Sequence, residues 1–168
     1  MRILGVDPGL RRTGYGVIGS DAGGITLIEG GVIRCALTEQ PLPVRLLEIH
    51  RGIAEVIAEY RPRVVALEQL FSHYGHPRTA ILMGHARGVI CLAAAEAGLS
   101  VHDYPAARIK AALTGSGRAS KDQMQRMIQR LLALEELPSP HDVADALAVA
   151  ICHGTFGHRP DLAPVAPR

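Results

Sequence analysis

Apolar residues in the first part of the chain come in short runs separated by glycine-rich turns. Arg2 to Asp7 reads as a buried strand stopped by Pro8-Gly9, Gly14 to Ser20 as a second strand, and Ile25 to Cys35 as a third after the Gly23-Gly24 turn. The period then changes. Leu46, Ile49, Ile53, Val56 and Ile57 recur at helical spacing between Pro43 and Tyr60, and Pro62 ends the pattern. Val64 to Glu68 has the length of a buried strand, Thr79 to Ala97 is helical and closed by Gly98, and Val101 to Tyr104 is a fifth strand. Ala106 to Leu113 predicts a short helix and Thr114 to Ala119 a glycine-containing loop. Ser120 with Gln123 forms a capping box before a helix whose apolar face is Met124, Met127, Ile128, Leu131 and Leu132. Ser139-Pro140 opens a last helix running to about His153.

Three meandering strands followed by α-β-α-β-α-α-α imply an α/β fold. Its mixed five-stranded sheet is antiparallel at first, parallel afterwards, and flanked by helices, which is the order of the ribonuclease-H-like fold. The length of 168 residues fits one domain over 1–155, with the Pro-rich segment 156–168 read as a flexible tail. A hydrophobic content of 48% against 20% charged excludes a disordered chain. The net charge of +2 does not announce a polyanion partner, so any nucleic-acid surface must come from local clusters of Arg and Lys. Three cysteines without a C-x-x-C pair argue against a disulfide framework and a structural zinc site, and are at home in a reducing cytoplasm. Asp7 comes too early for a signal-peptide core, and Glu96 interrupts the apolar run from Gly88 well short of a membrane span. A cytoplasmic location is the expectation.

Certain carboxylates do not belong to this apolar pattern. Asp7 and Glu68 each end an otherwise apolar strand, and strand ends are where ligand sites of open α/β sheets lie. Asp145 is the only charged residue from Val143 through Cys152, and an ionised carboxylate on so apolar a helix is costly unless a positive charge compensates it. Asp142 stands three residues earlier, on the same helix face, so that the pair could grip one ion. Convergence of the four would push some of their pKa values up, and a divalent cation would return them to the ionised form. Hard oxygen donors favour Mg²⁺ or Mn²⁺ over zinc. Plainer readings stand beside this one: Asp7 before Pro8-Gly9 is also a turn-former, and Asp142 is also a helix-capping acid.

Several motifs occur in a fixed order. They are Gly5-Val6-Asp7-Pro8-Gly9 with Thr13-Gly14-Tyr15-Gly16-Val17, then Glu68-Gln69-Leu70-Phe71, Gly84-His85-Ala86-Arg87-Gly88, Lys110, Gly115-Ser116-Gly117 with Lys121, and Asp142-Val143-Ala144-Asp145-Ala146-Leu147-Ala148. In this order, from Met1 to about His153, the chain resembles the bacterial RuvC family. The resemblance implies a ribonuclease-H-like homodimer that cuts four-way DNA junctions (Holliday junctions) in recombination and repair, and that works with a RuvA-RuvB branch-migration complex. It also implies Asp7, Glu68, Asp142 and Asp145 as catalytic, metal-binding carboxylates holding two Mg²⁺ or Mn²⁺ ions for hydrolysis without a covalent intermediate.

The resemblance further assigns Lys110 and Lys121 to the surroundings of the scissile phosphate, and Phe71 to the bases at the crossover. Arg78 and Arg118 are further candidate phosphate contacts. His141 precedes Asp142, and since some relatives place histidine among the ligands here, it is the alternative to Asp142, which is preferred for sharing a face with Asp145. The histidine-rich loop from Ser72 to Arg78 leaves the sequence preference open. Three other readings compete. A sugar-kinase or actin-like ATPase would need a longer, two-lobed chain, a non-catalytic junction-binding module would not need Asp145, and a general or RNA-directed nuclease of the same fold would share the carboxylates.

Overall fold

The structure, a computed structural model, describes residues 1–35, 40–69 and 77–156. Along it run β1 (Arg2–Asp7), β2 (Arg12–Asp21), β3 (Gly24–Arg34), α1 (Leu42–Tyr60), β4 (Val64–Glu68), α2 (Pro77–Glu96), β5 (Ser100–Tyr104), α3 (Ala106–Thr114), α4 (Lys121–Leu131) and α5 (His141–Phe156). The five strands form one sheet in the order β3-β2-β1-β4-β5. β1 to β3 pair antiparallel, while β1–β4 and β4–β5 are parallel, because helical crossovers return the chain to the same end.

Both faces of the central strands are covered, which explains their unbroken apolar runs. Leu4, Val6, Val65 and Leu67 point to one side and pack with Ile49, Ile53 and Val56 of α1 and Ala86, Ile90 and Ala94 of α2. Ile3, Val64 and Ala66 point to the other, against Ala144, Leu147, Ala148 and Ile151 of α5 and residues of α3 and α4. Alternation therefore sends Asp7, two residues beyond Gly5, and Glu68, two beyond Ala66, to the α5 side.

The contact between α5 and the sheet is unusually close, and glycines permit it. A Cβ on Gly5 would stand 2.1 Å from the Ala146 carbonyl oxygen, and one on Gly14 would stand 2.0 Å from that of Asp142. Gly14 is the cross-strand partner of Asp7. The glycines thus let α5 lie on the sheet beside the carboxylate that ends β1.

The elements match those predicted, with differences at their ends. β2 starts at Arg12 rather than Gly14, since buried Thr13 joins the ladder and its hydroxyl donates to the Gly9 carbonyl at 2.7 Å. The last helix begins at His141, after Ser139-Pro140, and extends past His153 to Phe156. The remaining tail, 157–168, lies outside the described residues. No described helix is long and apolar enough to cross a membrane.

Candidate active site

The parallel register of β1 and β4 runs from Ile3 opposite Val64 to Val6 opposite Leu67. Asp7 and Glu68 are the next residues along and end their strands side by side. Above them lies the first turn and a half of α5, with Asp142 and Asp145 on one face. Glu68 and Asp145 line a cleft of about 290 Å³ together with Lys110 of α3, Lys121 of α4 and His141. Lys121 is the first residue of α4, whose start is fixed by the predicted box: Ser120 Oγ accepts from the Gln123 backbone, and the Gln123 side chain accepts from Ser120. A wider hollow of about 830 Å³ along the outside of α4, lined by Arg126, Met127, Arg130 and Leu137 among others, contains none of the four carboxylates.

Electrostatics tie the four together. The Asp7 carboxyl is pushed from 3.8 up to about 7, first by burial and then by the charges of Asp145, Asp142 and Glu68, against the opposing pull of Lys121. Glu68 is raised by burial and by Asp145, against Lys110 and Lys121. Asp145 is open to the cleft, yet the surrounding wall withholds enough water to raise it too, with Lys121 and His141 lowering it and Asp142 raising it. Like charges crowded beside two lysines describe a place built for a cation.

No described group of three or more His, Cys, Asp and Glu side chains is already drawn close enough to cage an ion. The donor set still fits one: four carboxylates of hard oxygen character, with one of their oxygens unsatisfied. Asp142 Oδ2 is shut off from solvent without a hydrogen-bond donor, and its nearest charge is Arg12 Nε at 3.3 Å.

His141, the alternative ligand, lies in the cleft with its Nδ1 2.9 Å from Gln125 Nε2. Arg118 is exposed in the loop between α3 and α4, where its backbone N–H donates to Ser116 Oγ at 3.3 Å. Arg78 is exposed in the first turn of α2. Phe71 and residues 72–76 of the histidine-rich loop lie outside the described residues.

Two arginines were given no role by the sequence reading, although Arg87 stands in one of the motifs it quotes. Arg87 of α2 donates to the Glu68 carbonyl at 3.3 Å and pairs with Asp103, bracing the end of β4 from the far side of the sheet. Apart from His85 it is the only acidic or basic residue from Thr79 through Ala95, the same kind of signal that marked Asp145. Arg12 offered no such signal, since two adjacent arginines after a turn read as ordinary surface charge.

A family model described as crossover junction endodeoxyribonuclease RuvC matches residues 3–153. The crossover junction endodeoxyribonuclease RuvC of Rhodopirellula baltica is 52% identical over 158 residues, covering 94% of this chain and 88% of that protein. That of Moorella thermoacetica is 48% identical over 156 residues, covering 93% and 92%. Among solved structures, Thermus thermophilus RuvC in complex with a Holliday junction substrate superposes with a TM-score of 0.88 at 35% identity, covering 94% of each chain. With nearly its whole length matched, the chain belongs to the RuvC family of crossover junction endodeoxyribonucleases.

Proposed function

We infer that the chain is a structure-specific endonuclease that resolves Holliday junctions by paired symmetric nicks in DNA recombination and repair. The observation that carries this reading is the coupling of Asp7, Glu68, Asp142 and Asp145 at one end of the sheet, beside Lys110 and Lys121, in a chain of this family.

Asp7 and Glu68 from adjacent strand ends, with Asp142 and Asp145 from α5, are the ligands of two Mg²⁺ or Mn²⁺ ions. Bound there, the ions supply Lewis acidity to the attacking water and the leaving oxygen of the phosphodiester. Asp142 is preferred to His141 because its enclosed Oδ2 lacks a donor, whereas His141 Nδ1 already has Gln125. Lys110 and Lys121 hold the scissile phosphate and offset the negative charge that grows on its oxygens in the transition state. Arg118 and Arg78 contact the backbone beyond it, which fixes position without reading sequence. Phe71 acts on bases at the crossover, by stacking or wedging.

Two equivalent strands of a four-way junction call for two active sites at fixed separation, which a twofold dimer supplies. The exposed face of α2 is the candidate interface. The working partner is a RuvA-RuvB complex and the location the cytoplasm, both following from family membership.

The test is cleavage of a synthetic four-way junction against matched duplex, in Mg²⁺ or Mn²⁺ and then in EDTA, with wild type and Asp145→Asn. Paired symmetric cuts that need the ion and fall by at least about 10³ in the variant, with binding retained, are the expected result. Equal cleavage of duplex would indicate a general nuclease, loss of cutting restored by an RNA substrate an RNA-directed one, and binding without cutting a junction-binding module.

A further inference from the structure

Asp142 is held differently from the other three carboxylates. Its Oδ2 has lost its water and gained no hydrogen bond, and what faces it at 3.3 Å is the Arg12 guanidinium, close enough for an ion pair but misaligned for donation. Asp142 cannot retreat, because its backbone is seated against Gly14. Arg12 can: it begins β2, its side chain is 54% exposed, and a long flexible stem carries the charge. With its guanidinium so exposed and no hydrogen bond made, Arg12 is loosely held, so a stronger cation displaces it readily.

We propose that Arg12 is a placeholder cation, which neutralises Asp142 while the site lacks a divalent ion and must swing away before Asp142 can ligate one. The inference rests on the carboxylate site proposed above. A ligand oxygen sits about 2.1 Å from Mg²⁺, so an ion on Oδ2 would lie within a few ångströms of a guanidinium left in place, and the two cations repel. Arg12 therefore offsets the charge of Asp142 in the empty site, and it sets the ion concentration at which the site fills.

Mn²⁺ titrated into DNA-free protein by calorimetry at fixed ionic strength reads this directly. Arg12→Gln should bind Mn²⁺ about three- to tenfold more tightly than wild type, and Arg12→Lys should fall between them. In an Asp142→Asn background, Arg12→Gln should make no further difference. Thermal unfolding in EDTA checks that each variant is folded, and Arg12→Lys retains a charge at the position should Arg12→Gln fail to fold. Affinity unchanged or weakened in Arg12→Gln, while Asp142→Asn still weakens binding, overturns the placeholder and leaves the metal site standing. Absence of saturable Mn²⁺ binding in wild type overturns the metal site and the placeholder with it.

Discussion

Burial, with the charges of Asp145, Asp142 and Glu68 and against that of Lys121, lifts the Asp7 carboxyl from 3.8 to about 7. Because the folded value lies above the unfolded one, Asp7 contributes stability that is fully present below about pH 4 and is lost as the pH rises through about 7. Glu68 and Asp145 are displaced in the same direction, so the three act together. Protein held in EDTA should therefore melt at progressively lower temperature as the pH is raised across that window, the stability lost being on the order of a few kcal/mol. Asp7→Asn removes the largest part of the slope: it should be more stable than wild type at neutral pH, with the gap closing towards pH 4, and it should not cleave. Added Mn²⁺ should reverse the trend in wild type, because the ion binds the ionised carboxylates and competes with protons. Melting curves of wild type and Asp7→Asn that run parallel across the whole range would show that Asp7 is not under this load.

α5 is the element on which the site depends, and its seat is made of glycines contributed by strands more than a hundred residues earlier in the chain. Adding a methyl at Gly14 would drive it to 2.0 Å from the Asp142 carbonyl oxygen, a backbone atom that cannot turn aside as a side chain would. Gly14→Ala should cost about 3 kcal/mol or more, at the upper end of overpacking, read as a fall in the melting temperature. Its cleavage should fall further than the unfolded fraction explains, since a lifted α5 carries Asp142 and Asp145 away from Asp7. Wild-type cleavage in a stably folded Gly14→Ala would mean the groove does not set the site. The glycines also show where sequence reasoning stops. Alternation and helical spacing predict the five strands and five helices because each element is long enough to express its own period. The carboxylates stand out because a charge at the end of Ile3-Leu4-Gly5-Val6, or within Val143 to Cys152, contradicts its neighbours. By contrast, Gly5 and Gly14 read locally as turn or strand-weakening residues, and only the docking of α5 gives them a purpose. The pairing of Arg12 with Asp142 is equally invisible, since 130 positions separate two residues that no period connects.

The three-layer arrangement leaves α2 apolar on both sides. Ala86, Ile90, Ala93 and Ala94 face the core, while Ile81, Gly84, His85, Gly88, Leu92 and Ala95 recur at helical spacing on the opposite face, all exposed. Ile81 is 63% and Leu92 51% exposed, and the space over Gly84 and Gly88 is open, so a second helix could approach closely between them. Such a stripe on a chain that must act on two strands is where the proposed twofold contact belongs. Sedimentation should find a wild-type dimer and a monomeric Leu92→Glu, because the carboxylate would be buried against its own copy without a partner charge. The α5 site lies across the sheet from this helix, so chemistry at a single strand should survive. What the monomer should lose is coordination. On a supercoiled circle with an extruded cruciform, a first nick releases the supercoiling that maintains the junction, and only a prompt second cut from the other protomer yields linear DNA. Wild type should therefore give mostly linear product, and Leu92→Glu mostly nicked circles formed at a lower rate. A Leu92→Glu protein that remains dimeric, or that linearises the circle as wild type does, would move the interface to another face of the molecule.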